Sequence, residues 1–129
     1  MRVVDFHSTN EVSDISELGV VLSTRYGEGV NAFWLSHGNE EYPTLSILVK
    51  SDLAVVYYFP WENDAGYSSV GNLSGLDAGK TTSFCISECR GDDVDVLGKA
   101  VVLFSTAIEV ANEFFLSDRL PRSIEWLRL

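Results

Sequence analysis

Residues 31–60 constrain this chain more than any other stretch. They read NAFWLSHG, a polar link, PTLSILVK, the pair Ser51-Asp52, then LAVVYYFP. That is three β-type runs in thirty residues. In Thr44–Lys50, Leu45, Ile47 and Val49 share one face while Ser46 takes the other. Leu53–Phe59 is apolar or aromatic throughout, the pattern of a central strand covered on both faces. Ser51-Asp52 is short enough for a tight turn, so the two runs are expected to pair antiparallel. That register sets Val49 against Ala54 and Ile47 against Val56. Such a sheet needs helices over it.

Two segments qualify. Ile15, Leu18, Gly19, Leu22 and Tyr26 recur at helical spacing, after polar residues 10–14 that offer caps and before Gly27 and Gly29. Ala107, Ile108, Ala111, Phe114 and Phe115 build a second apolar stripe opposite Glu109, Asn112 and Glu113. Thr106 and Glu109 have the spacing of a capping box, and Pro121 bars continuation. Further strands are expected at Arg2–Phe6, Gly66–Gly71, Thr81–Glu88 and Ile124–Leu129, with Val96–Phe104 leading into the second helix. Arg90–Asp95 reads as a charged turn. Consecutive strands with only two helices predict an α+β fold: a mostly antiparallel, twisted sheet of about six to eight strands covered by two main helices. Residues 1–129 are expected to form a single domain.

The charge narrows the function. Nineteen acids against nine bases give a formal net charge of −10. Such a chain repels nucleic acid and anionic membranes and suits a basic partner. No apolar run approaches the ~20 residues of a membrane span, and the N-terminus has no apolar signal core, so the expected location is the cytoplasm. Cys85 and Cys89 lie about 13 Å apart along a strand, too far for a disulfide, and are expected as free thiols.

No catalytic constellation emerges. Ser74–Thr81 (SGLDAGKT) imitates a phosphate-binding loop, but serine holds the first glycine position and a strand follows where a helix is required. His7, His37, Cys85 and Cys89 lack the spacing of a zinc site, so neither metal nor cofactor is expected. Ser36 and His37 are neighbours and point to opposite faces of a strand. Glu40-Glu41 and Asp92-Asp93 read as solvated link residues. The remaining candidates are surface features. Trp61, Glu62, Asp64 and Tyr67 combine aromatics with acids as binding hot spots do. Asp92, Asp93 and Asp95 form a second acidic loop able to steer a basic partner. A rival reading is a small enzyme or ligand-binding domain with a pocket between sheet and helices, using Ser36, His37 and Tyr58. Another is an adaptor held by an exposed sheet edge.

Several pieces together resemble a known family. They are NAFWLSHG at 31–38, Pro43 with the LSILV strand, the run ending at Pro60, GYSSVG at 66–71, Glu113-Phe114-Phe115, and Leu120-Pro121 followed by Trp126. In order and spacing the chain resembles the immunity proteins of bacterial polymorphic toxin systems, the Imm family numbered one. The resemblance implies a small non-enzymatic α+β protein that binds and blocks a cognate toxin domain encoded by a neighbouring gene. The resemblance also implies that the toxin is a nucleic-acid deaminase or another nucleic-acid-targeting toxin, since toxins paired with this family are often deaminases and others are nuclease-like. The matching positions are mostly fold determinants, so the resemblance transfers no interface residues.

Overall fold

A computed structural model describes residues 1–87 and 92–129. Its strands are β1 (Arg2–Val4), β2 (Thr9–Glu11), β3 (Val30–Ser36), β4 (Thr44–Lys50), β5 (Leu53–Phe59), β6 (Tyr67–Val70), β7 (Thr81–Cys85), β8 (Asp93–Leu97), β9 (Val102–Leu103) and β10 (Glu125–Arg128). The helices are α1 (Ile15–Leu22) and α2 (Phe104–Leu116). The main sheet runs β10-β6-β5-β4-β3-β1-β2, and β9 joins it on β5. A separate hairpin pairs β7 with β8. All of these pairings are antiparallel. The fold is therefore α+β, as the strand and helix pattern predicts.

The β4–β5 hairpin is the nucleus of the architecture. Its two-residue turn places Val49 opposite Ala54 and Ile47 opposite Val56, the expected register. Ser51 takes a positive φ of 57° in that turn, as the first central residue of such hairpins does. Alternation then divides the strands between two cores. On one face Phe33, Leu35, Leu45, Ile47, Val49, Ala54, Val56 and Tyr58 pack against Leu18 and Leu22 of α1 and Ala107, Val110, Ala111 and Phe114 of α2. On the other, Ala32, Leu48 and Val55 pack under Phe84 and Val96 of the β7–β8 hairpin and Val101. The continuous apolar character of β5 thus reflects cover on both faces.

Several boundaries differ from the sequence expectation. α1 stops at Leu22, and Tyr26 instead closes a turn onto Val30. Asp14 caps it, accepting from the Glu17 amide at 2.8 Å, while Glu17 reaches back to the Ser13 amide. Thr9–Glu11 is an edge strand, held as an antiparallel partner of β1. The Thr106–Glu109 pair caps nothing. Pairing of β9 with β5 and the Phe104 amide's bond to Asp52 start α2 at Phe104. The run Val96–Phe104 is broken by a 3-10 turn at Gly98–Ala100. Gly98 packs so close to the Asp77 carbonyl that a Cβ would collide with it. Arg90–Asp95 is not simply a turn: Asp93 and Asp95 lie within β8, because Val94 and Val96 alternate with them toward the sheet. Glu88, Cys89 and Arg90 of the expected strand and turn lie outside the described residues.

Candidate functional site

The face of the sheet opposite the helices is only partly roofed. Cross-strand registers define one continuous row across it: Val4 opposite Trp34, Trp34 opposite Ser46, Ser46 opposite Tyr57, Tyr57 opposite Ser68, and Ser68 opposite Leu127. That row crosses six strands, about 24 Å at ~4.8 Å per step. The row below it, Ala32–Leu48–Val55, is under the hairpin. The row above contains the pairs Arg2–Ser36 and Thr44–Phe59. The upper two rows form the floor of an open cleft.

Two concavities share this floor. The larger, about 490 Å³, is lined by Arg2, Trp34, Ser36, Glu41, Tyr42 and Phe59 among others, with Asp64 on its wall. The smaller, about 260 Å³, lies between Ile86 and Val94 of the hairpin and Ala65 and Leu129, over Trp34, Tyr57 and Phe59. Trp34 is 36 % exposed and Leu129 51 %. The Arg2 Nε is buried and has no hydrogen-bond partner among the described residues. Leaving such a group unsatisfied costs about 1–3 kcal/mol.

Of the two sequence-predicted patches, only Asp64 lines this cleft, while Val94 of the strand that carries Asp93 and Asp95 lines its smaller hollow. Trp61 is 63 % exposed on the β5–β6 loop, and Glu62 beside it is also exposed. Asp64 and Tyr67 have structural duties. Asp64 accepts from both terminal nitrogens of Arg128, one at 2.7 Å, and from the Gly66 amide at 2.8 Å. The Arg128 hydrogen bond holds its carboxyl below the usual carboxylate range. The Arg128 guanidinium also stacks over the Tyr67 ring, 4.7 Å from its centre. Together they fasten β10 to the sheet, which brings Leu129 to the cleft. Asp92 accepts from the Ser87 hydroxyl at 2.7 Å next to the hairpin tip. Asp93 and Asp95 are exposed, opposite Cys85 and Ser83. Burial, then the neighbouring Asp93, pushes the Cys85 thiol pKa up.

The residues of the rival reading are not brought into one site. His37 Nε2 is 2.7 Å from the Phe114 carbonyl, and its ring lies on the Phe114 ring. The Tyr58 hydroxyl donates to the Asp118 carbonyl at 2.9 Å. Both face the helices, whereas Ser36 lines the cleft on the opposite face. The space between sheet and helices is filled by the main core. Ser74–Thr81 forms turns that lead into β7. No three His, Cys, Asp or Glu side chains gather as a metal set among the described residues.

Sequence reasoning missed Trp34, Tyr57 and Phe59. The signal was present: aromatic residues alternate with core residues along β3 and β5, so a strand with both faces apolar has one face left over where the hairpin ends. This aromatic floor sits on an acidic chain of charge −10, and partly exposed apolar patches of this kind are where proteins bind partners.

Comparison with known proteins gives the particular class. The chain is 31% identical over all 129 residues to the double-stranded DNA deaminase immunity protein of Burkholderia cenocepacia (strain H111), covering the full length of both. It belongs to that family of toxin-system immunity proteins, whose role is to inhibit a cognate toxin. No protein-family model matches the chain.

Proposed function

We propose that the toxin this protein neutralises is a nucleic-acid deaminase, and that it is held in the cytoplasm of the producing cell by occlusion of its substrate cleft. The observation that carries this reading is the full-length identity to an immunity protein named for a double-stranded DNA deaminase. The charge supports it. A toxin acting on nucleic acid presents a basic cleft, and a net charge of −10 complements it. The protein itself performs no chemistry, binds no nucleic acid and contacts no membrane; no helix among the described residues is long and apolar enough to cross one. Its partner is encoded by a neighbouring gene. The finer assignment, to the Imm family numbered one, rests on the motif order between residues 31 and 126.

Contact residues in this reading are Trp61 and Glu62 on the β5–β6 loop and Asp92, Asp93 and Asp95 on the hairpin, with Asp64 and Tyr67 holding the loop in place. Nanomolar affinity corresponds to about 12 kcal/mol, within reach of an interface of ~1,600 Å² carrying a few aromatic anchors. The test is calorimetry against the adjacently encoded toxin domain at two salt concentrations, beside a deamination assay on double-stranded DNA. One-to-one binding that weakens with salt, and deamination that stops at equimolar protein, are expected. Undiminished deamination at a large excess of this protein would refute the reading.

A further inference from the structure

Resting on the immunity reading, we propose that the aromatic cleft is the seat for a protruding loop of the cognate toxin. That loop places an apolar side chain over Trp34, Tyr57 and Phe59, between Ile86 and Leu129, and gives an oxygen acceptor to Arg2. Cations flanking the loop meet the acids around the cleft.

Four observations converge on this surface. The cleft is concave where the rest of the sheet is covered, and its two hollows share Trp34 and Phe59, so a projecting segment fits better than a flat one. The smaller hollow is mainly apolar and unroofed although the row immediately below is buried under the hairpin. Arg2 lines the larger hollow, and its guanidinium offers fixed donors to a partner oxygen laid across the cleft. Two acids, Glu41 and Asp64, line the larger hollow, and they belong to acidic connecting segments. The β3–β4 link carries Glu40 and Glu41, the β5–β6 loop carries Glu62 and Asp64, and the hairpin carries Asp92, Asp93 and Asp95. Antiparallel topology brings the first two to the same end of the sheet.

The charge selects the occupant. A second copy of this chain would bring another −10 against the same rim, whereas a nucleic-acid-acting toxin brings the opposite sign. A standard interface covers about 800 Å² per partner. The cleft floor alone is smaller, so the footprint extends onto the rim, and the apolar seat and the acidic loops act as one surface. Aromatics recessed within a charged rim are where hot-spot energy concentrates.

The experiment uses the full chain and the purified toxin domain encoded beside it. Calorimetry compares the parent with Trp34→Ala, Arg2→Met and Ala65→Arg. Val20→Ser and Leu116→Ser, exposed on the helical side, serve as controls. Trp34→Ala is expected to weaken binding at least 30-fold, and Arg2→Met and Ala65→Arg about tenfold each, with both controls within twofold. Melting curves establish that each variant is folded. Ala65 is exposed, so its variant decides the matter even if Trp34→Ala unfolds. If the parent binds and the folded cleft variants all bind within threefold of it, the toxin docks elsewhere and the cleft proposal is overturned while the immunity function stands. If an active toxin domain fails to bind the parent at all, the proposed function falls and the cleft proposal with it. Sedimentation showing a parent dimer that Ala65→Arg dissociates, with toxin binding intact, would give the cleft to a second copy and overturn the assignment.

Discussion

Asp5 should anchor the strand that carries Arg2 into the cleft, and its contribution can be worked out from its contacts. The residue is 7 % exposed. Oδ1 accepts from the His7 amide at 2.9 Å, the Ser8 amide at 2.8 Å and the Ser8 hydroxyl at 3.0 Å. Oδ2 accepts from the Tyr26 hydroxyl at 3.2 Å and Asn31 Nδ2 at 3.3 Å. One carboxylate therefore ties the end of β1 to the turn before β2, to the 26–30 turn and to the start of β3. Asp5→Asn keeps one oxygen for the Oδ1 donors but sets an amide NH₂ against that of Asn31. Charge-assisted bonds contribute about 1.5–3 kcal/mol each where neutral ones give about 1. The net cost should be about 2 kcal/mol. Unfolding entropy of about 2.1 cal/mol/K per residue over 129 residues converts this to a melting temperature about 7 °C lower at pH 7. The pH dependence has a definite sign. Burial pushes the Asp5 carboxyl up, but the His7 and Ser8 amides, Asn31 and the Ser8 hydroxyl outweigh it, and the pKa is lowered. The carboxylate's contribution is therefore fully present above the unfolded value of about 3.9 and is lost as pH falls through the lower folded value. Calorimetric melts at pH 7 and at successively lower pH should show the parent and variant converging below pH 4. A variant melting within 2 °C of the parent at pH 7, or a gap that stays constant into acid, would refute the anchor argument.

Three further outcomes are expected. Gly71→Ala drives a Cβ into the Val101 carbonyl beside the 2.6 Å bond from the Gly71 amide to Lys99, so denaturant melts should show a loss of about 3 kcal/mol. Trp61→Ala removes an exposed ring and should leave the melting temperature within 2 °C while weakening toxin binding at least tenfold by calorimetry. Reversing Asp92, Asp93 and Asp95 to lysine should lower the association rate in stopped-flow mixing and flatten its salt dependence, with little change in far-ultraviolet circular dichroism.

The parts of the fold legible in the sequence were those set by strict periodicity. The β4 and β5 limits, their turn and their register followed from alternation and a two-residue link. β2 and β9, three and two residues long, were not legible, because they exist only through a neighbour's pairing. The Thr106–Glu109 cap failed for the same reason: pairing of β9 fixed where α2 begins, and local propensity yielded. The candidate site was partly legible. Trp61 and Asp92 announce themselves as aromatic and charged residues between strands, whereas Asp93 and Asp95 lie within β8. Asp64 does not announce its tie to Arg128, 64 residues away. The cleft was illegible because Trp34, Tyr57 and Phe59 look like core until the reach of the β7–β8 hairpin across the sheet is known.

The alternation along β3, β4 and β5 has an evolutionary consequence. Phe33, Leu35, Leu45, Ile47, Val56 and Tyr58 face the helices, while their immediate neighbours Trp34, Ser36, Ser46, Tyr57 and Phe59 face outward. On the cleft proposal, foldability and partner choice are interleaved in the same three strands. Exchanging a whole strand between two relatives transplants both properties and forces the core to be refitted. On that proposal, single substitutions at Trp34, Tyr57 or Phe59 alter recognition without touching the helix-side core, whereas Ala32, Leu48 and Val55 on the same face are buried under the hairpin. A lineage pursuing a diversifying toxin can therefore drift by point mutation on one side of the sheet while the other side stays frozen.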